Sequence, residues 1–92
     1  MDYLENDITV ERGQTRQIVV LDDTEHLQAN EEFCDIVVKE NACLEMYRIQ
    51  NLDNDAKLKT HIHIHQQRDS RVHFVVISFN AGDLRNHIEE DI

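Results

Sequence analysis

The chain has 92 residues and a formal net charge of −10, from 9 Lys and Arg against 19 Asp and Glu. This length predicts a single domain, residues 1–92, or a piece of a larger one. The negative charge argues against nucleic acid as a partner, because it repels phosphate groups. The longest apolar runs fall far short of the ~20 residues of a membrane span. The start "MDYLENDI" does not resemble a secretory signal. With two cysteines, these features favour a soluble, reducing, cytoplasmic setting.

Six short segments carry the alternating or continuous apolar pattern that is typical of β-strands. They span residues 8–10, 17–21, 33–38, 42–49, 58–65 and 72–79. The polar breaks between them contain Asn and Asp, which tolerate left-handed backbone and can replace glycine at corners. "TEHLQANEEF" has only a weak helical stripe, and we expect a loop with one helical turn there. The final "HIEEDI" indicates a solvated end or a strand cut short.

An internal repeat links these segments. "DITVERG" and "DIVVKEN" begin 28 residues apart, and the first isoleucine recurs at Ile8, Ile36, Ile62 and Ile88, in steps of 28, 26 and 26. Two strands and a connection per repeat predict stacked coils of a β-solenoid. The alternative is a small antiparallel sandwich, which the absence of Asn-Gly hairpin turns disfavours. In the solenoid the inward side chains are Ile8, Val10, Ile36, Val38, Ile62 and Ile64.

Three histidines, His61, His63 and His65, alternate with isoleucines in "THIHIHQQRDS" and therefore share one strand face. One interpretation is a zinc or iron site, as in a small cupin-like metal protein, with His73 or Asp69 as a further ligand. The Glu and Gly that follow His-x-His in cupins do not follow here. We favour the other interpretation, a solvated strand face that binds no metal.

The cysteines and the "RDSR" segment also fit structural roles. Cys34 has the strand parity of Ile36 and is expected to fill the core, whereas Cys43 has the opposite parity and is expected to be the more exposed, reactive thiol. Asp69 and Ser70 are expected to form a corner rather than a catalytic or anion-binding loop, since no nucleophile-elbow pattern surrounds the serine. We assign no catalytic, cofactor-binding or metal-binding residue and expect no enzyme.

The order and spacing of "YRIQN", "QQRDSRVHF" and "GDLRN" resemble the core of the SufB/SufD family, over residues 18–86. The resemblance is closer to the SufD side. It implies an all-β fold, a right-handed parallel β-helix fragment of about three coils. It also implies a scaffold role in iron–sulfur cluster assembly with SufB-like subunits and a SufC-like ATPase, in a subunit whose helical flanking regions lie outside this chain. The family's cluster-ligand residues have no matching position here.

Two further expectations concern the function of the chain. A coil stack with uncovered ends is expected to form a homodimer. Besides the scaffold segment and the cupin-like metal protein, a plain protein-interaction domain with an acidic face is a third possible function.

Overall fold

The computed structural model describes residues 3–26, 29–53, 55–80 and 83–91 and contains seven β-strands in two sheets. Sheet A has the order β1-β3-β5-β7, and sheet B has the order β2-β4-β6. The strands are β1 (Tyr3–Val10), β2 (Thr15–Asp23), β3 (Glu31–Val38), β4 (Cys43–Asn51), β5 (Lys57–Gln66), β6 (Arg71–Asn80) and β7 (Asp83–Asp91). The fold is therefore all-β, as the sequence predicts.

Every strand pair in the two sheets is parallel and joins strands that are two apart in the chain. The chain thus passes from one sheet to the other and back before it pairs again. A hairpin would instead place consecutive strands side by side in opposite directions. The antiparallel sandwich, and with it a cupin-type architecture, is wrong for this chain.

The register corrects the predicted repeat. Ile8 pairs with Ile36, as expected, but Ile36 pairs with Ile64, so this step is also 28 residues. Ile62 pairs with Cys34 on one side and with Ile88 on the other. A shift of two residues keeps each side chain on the same face, so the apolar pattern cannot distinguish a step of 26 from one of 28.

Three stacked turns fix the spacing of 28. Gly13, Asn41 and Asp69 have φ values of 73°, 58° and 59°, and each is the third residue of a turn closed by a backbone hydrogen bond. Gly13 N donates to Glu40 O at 3.2 Å and Asn41 N donates to Arg68 O at 3.1 Å, so each turn bonds to the next. The prediction that Asn and Asp replace glycine at corners is confirmed.

The core lies between the two sheets. Val10, Ile36, Val38, Ile62 and Ile64 are all buried and Ile8 packs against them, which confirms the predicted inward positions. Sheet B contributes the side chains opposite them, led by Leu44 and Met46. Alternate residues of each strand face this core, so the histidines of β5 lie on the other side of sheet A.

All six predicted strand segments lie within strands, and several strands extend beyond the predicted limits. Thr24–His26 form a single turn of 3-10 helix inside the predicted loop, while Leu27, which belongs to the same prediction, lies outside the described residues. The "HIEEDI" segment enters β7, a full strand of nine residues rather than a solvated end. Over the described ranges, no helix is long or apolar enough to cross a membrane.

Candidate functional site

The outer face of sheet A carries histidines and carboxylates in adjacent rows. The register places Asp7, Asp35, His63 and Glu89 side by side across the four strands. His65 and Asp91 lie opposite each other in the next row. The prediction that the three histidines face away from the core is confirmed, but their side chains are only 29–41% exposed, because they pack against one another and against neighbouring strands.

His63 and His65 form the centre of this face. Their ring centroids lie 4.0 Å apart. Asp91 Oδ2 lies 2.7 Å from His63 Nε2, within hydrogen-bond distance, and 3.5 Å from His65 Nδ1. Asp35 Oδ1 lies 3.9 Å from His65 Nε2. Two imidazoles are thus placed between carboxylates from β3 and β7, an arrangement that favours a proton or a cation.

His61 has a different environment. Its ring stacks on Phe33, with centroids 4.6 Å apart and ring planes 7° from parallel. Its Nε2 atom is enclosed without a hydrogen bond and lies 3.8 Å from Glu31 Oε2. His61 is therefore fixed by an aromatic contact, and it does not join the pair formed by His63 and His65.

His87 lies beside His61 on β7, with ring centroids 6.5 Å apart. Its Nε2 lies 2.9 Å from Glu89 Oε1. The hydrogen bond to His87, followed by the charge of that ring, lowers the pKa of the exposed Glu89 carboxyl from its usual value. The carboxylate of Glu89 therefore stays ionised to lower pH than an isolated glutamate.

The further ligands predicted for the histidine row are not brought to it. His73 lies on β6 in sheet B, where its ring is 6.1 Å from that of Tyr47. Asp69 lies in the turn after β5. The structure instead supplies Asp35 and Asp91. The correct 28-residue step would have found Asp35 directly, because it places this residue opposite His63.

A buried ion cluster between the sheets was not anticipated from the sequence. Arg48 of β4 is 1% exposed, and its guanidinium donates to both carboxylates that flank it. Nε donates to Asp22 Oδ2 at 2.6 Å, and Nη2 donates to Glu32 Oε2 at 2.8 Å. Burial alone would lower the pKa of Arg48, but hydrogen bonds and charges of the two carboxylates outweigh it and raise the pKa.

An amide and hydroxyl network adjoins this cluster in the interior. Gln50 Nε2 donates to Asn86 Oδ1 at 3.0 Å, and Asn86 Nδ2 donates back to Gln50 Oε1 at 3.1 Å. Thr60 and Ser78 add hydrogen bonds to the same pair. Gln50 and Asn86 thereby join sheet B to sheet A. The signal in the sequence was strand parity, since Arg48 and Gln50 continue the inward series of Leu44 and Met46.

Both cysteines are free thiols, and their positions follow the predicted parity. Cys34 is 3% exposed in the core, and Cys43 is half-buried. Burial, followed by the nearby charge of Glu32, raises the pKa of the Cys34 thiol to about 11. A thiol with such a pKa is almost entirely protonated near neutral pH and is a poor nucleophile or metal ligand.

The "RDSR" segment forms the predicted corner. Ser70 N donates to Gln67 O at 3.2 Å, and the side chain of Gln66 donates to Ser70 O at 3.4 Å. Arg68 is 86% exposed and lies 3.7 Å from Asp69. These groups satisfy the turn and its solvent shell, so their arrangement is that of a structural corner.

The family model described as "SUF system FeS cluster assembly, SufBD core domain" matches residues 2–92. This match includes the three motifs that carry the resemblance in the sequence. The searches of curated proteins and of solved structures gave no significant match.

Proposed function

The chain belongs to the SufBD core-domain family of the SUF system for iron–sulfur cluster assembly, and on that premise we propose that it is a non-enzymatic scaffold segment of a SufD-like subunit. The observation that carries the proposal is the family match over residues 2–92, nearly the whole chain. The iron–sulfur cluster is cargo in this proposal, assembled by the complex and passed on.

The strand arrangement supports a β-helix as the form of this scaffold. Alternating sheets, parallel pairing between strands two apart, and three turns stacked at a spacing of 28 residues are the features of successive coils. We propose a right-handed winding, because parallel crossover connections are right-handed in about 98% of cases. The chain then provides about three coils of a longer helix.

The motifs support a structural role for this segment. Within "YRIQN", Arg48 and Gln50 point inward and bond to groups of sheet A. Within "GDLRN", Asn86 completes the amide pair with Gln50, while Gly82 lies outside the described residues. Such cross-sheet bonds fix the spacing of the two sheets. A rigid spacing is what a subunit needs to present a constant surface to its partners.

The partners proposed from the family are a SufB-like subunit and a SufC-like ATPase, with helical flanking regions of the subunit completing the assembly. The acidic composition and the free thiols fit a cytoplasmic complex. The ATPase supplies the chemical energy in this proposal, and the present segment supplies position.

Inactivation of the gene in its source organism tests the proposal. The expected result is a loss of activity of iron–sulfur enzymes while the abundance of their polypeptides is unchanged. The wild-type gene should restore activity, and so should the gene with Lys39→Met, which removes only an exposed ion pair with Glu11. Unchanged iron–sulfur enzyme activity after inactivation, in cells without a second SUF-type system, would contradict the proposal.

A further inference from the structure

The densest group of metal-ligand side chains in the described ranges lies on the outer face of sheet A. One ligand atom each of Asp35, His63 and His65 lies within 4.8 Å of the other two. The cause is the pairing of β3 with β5, which sets Asp35 directly opposite His63. His65 is two residues further along the same strand and therefore projects from the same face.

The donor set fits a divalent transition ion. Two imidazole nitrogens and one carboxylate oxygen form the set that zinc sites use and that non-haem ferrous sites use with open positions. Two atoms bound to one ion at about 2.1 Å lie at most about 4.2 Å apart. The observed limit of 4.8 Å therefore requires a closure of roughly half an ångström, which half-exposed side chains can make by small torsional changes.

The surroundings of the three groups favour a cation. Asp91 Oδ2 lies 2.7 Å from His63 Nε2 and 3.5 Å from His65 Nδ1. Outer carboxylates of this kind fix the orientation of metal-binding histidines. Asp7 and Glu89 occupy the same row on the flanking strands and add negative charge. The sequence favoured a site without metal because it gave the histidines no carboxylate partner, and the register provides two.

We propose that Asp35, His63 and His65 bind one divalent transition-metal ion, of the zinc or ferrous class, on the outer face of sheet A. His61 is not a ligand, because its ring is stacked on Phe33. The site rests on the geometry of these side chains and does not depend on the scaffold role. It remains solvent-accessible, since Asp35 is 64% exposed.

Metal titration of the untagged chain tests the site. Zn²⁺, and Fe²⁺ under anaerobic conditions, should each be titrated calorimetrically, with Co²⁺ as a spectroscopic probe of coordination. We expect saturation near one equivalent for the wild type. His63→Gln/His65→Gln and Asp35→Asn should each weaken binding at least tenfold, and they should remove the Co²⁺ absorption of a nitrogen- and oxygen-bound ion. Comparison of the two titrations shows which ion the site prefers.

His73→Gln is the matched control, because it removes an exposed histidine from sheet B. It should leave the titration unchanged. All variants should keep the wild-type circular dichroism, since surface substitutions of this kind usually shift stability by less than about 1 kcal/mol. Equal binding by the wild type and the double variant would assign the ion to the general acidic surface and overturn the proposal. Failure of the wild type to bind any of the three ions would also overturn it.

Discussion

Arg48→Met tests whether the buried ion cluster holds the two sheets together. The substitution retains an unbranched side chain but removes four hydrogen bonds, between 2.6 and 3.2 Å, from Asp22 and Glu32. The two carboxylates are only 10% and 14% exposed, so they are left as largely buried negative charges without a counter-ion. Loss of one partner of a buried ion pair typically costs about 3–5 kcal/mol.

A cost of this size is a large fraction of the total stability, which is on the order of 5–14 kcal/mol for a domain of this length. Urea denaturation followed by circular dichroism measures it directly, and the thermal midpoint should fall by more than about 10 °C. Lys39→Met is the matched control, since it breaks an exposed pair with Glu11 at 2.9 Å. Surface pairs contribute about 0–1 kcal/mol.

The triple variant Arg48→Met/Asp22→Asn/Glu32→Gln separates uncompensated charge from loss of packing. It should regain part of the lost stability, because it no longer buries two unpaired charges. If Arg48→Met is no more destabilising than Lys39→Met, the cluster is screened by solvent and the reasoning is refuted. If the single variant fails to fold, recovery of a folded triple variant gives the same test.

Three other predictions concern the corners, the thiols and self-association. Asn41→Val should destabilise by about 1–2 kcal/mol, because a β-branched residue resists a φ of 58°, while Asn41→Gly should be neutral within about 0.5 kcal/mol; equal effects in urea denaturation would contradict this. Cys43 should react with a thiol reagent at pH 8 while Cys34 stays protected until unfolding, and mass spectrometry of the modified peptides distinguishes them. Because the pKa of Cys34 is about 11 when folded and 9.0 ordinarily, the unfolded chain loses this proton first and its contribution to stability should fall as the pH rises from 9 to 11. The isolated chain should form a dimer at micromolar concentration, because Leu21 and Phe79 are 61% and 70% exposed on the outer face of sheet B and the outermost strands offer free edges; sedimentation that shows only monomer would refute this.

The sequence predicted the strands and their inward faces because period-two patterning directly reflects burial on one side of a sheet. It could not determine register, since a shift of two residues moves Ile36 from Ile64 to Ile62 without changing which face it occupies. That ambiguity hid Asp35 from the histidine row. The interior cluster was missed for another reason: Arg48 and Gln50 are polar, and their burial depends on partners from β2, β3 and β7 that no local pattern identifies.

Copurification with the SUF partners tests the central claim, the scaffold role, most directly. The chain should be coexpressed with the SufB-like and SufC-like subunits of its own source, with the affinity tag on the SufB-like subunit. The proposal predicts that the chain is retained with the tagged subunit through size-exclusion chromatography. Arg48→Met, which is expected to weaken the fold, should reduce the retained amount, and Lys39→Met should leave it unchanged. A tagged SufB–SufC complex that elutes intact while the folded wild-type chain elutes alone would contradict the scaffold role.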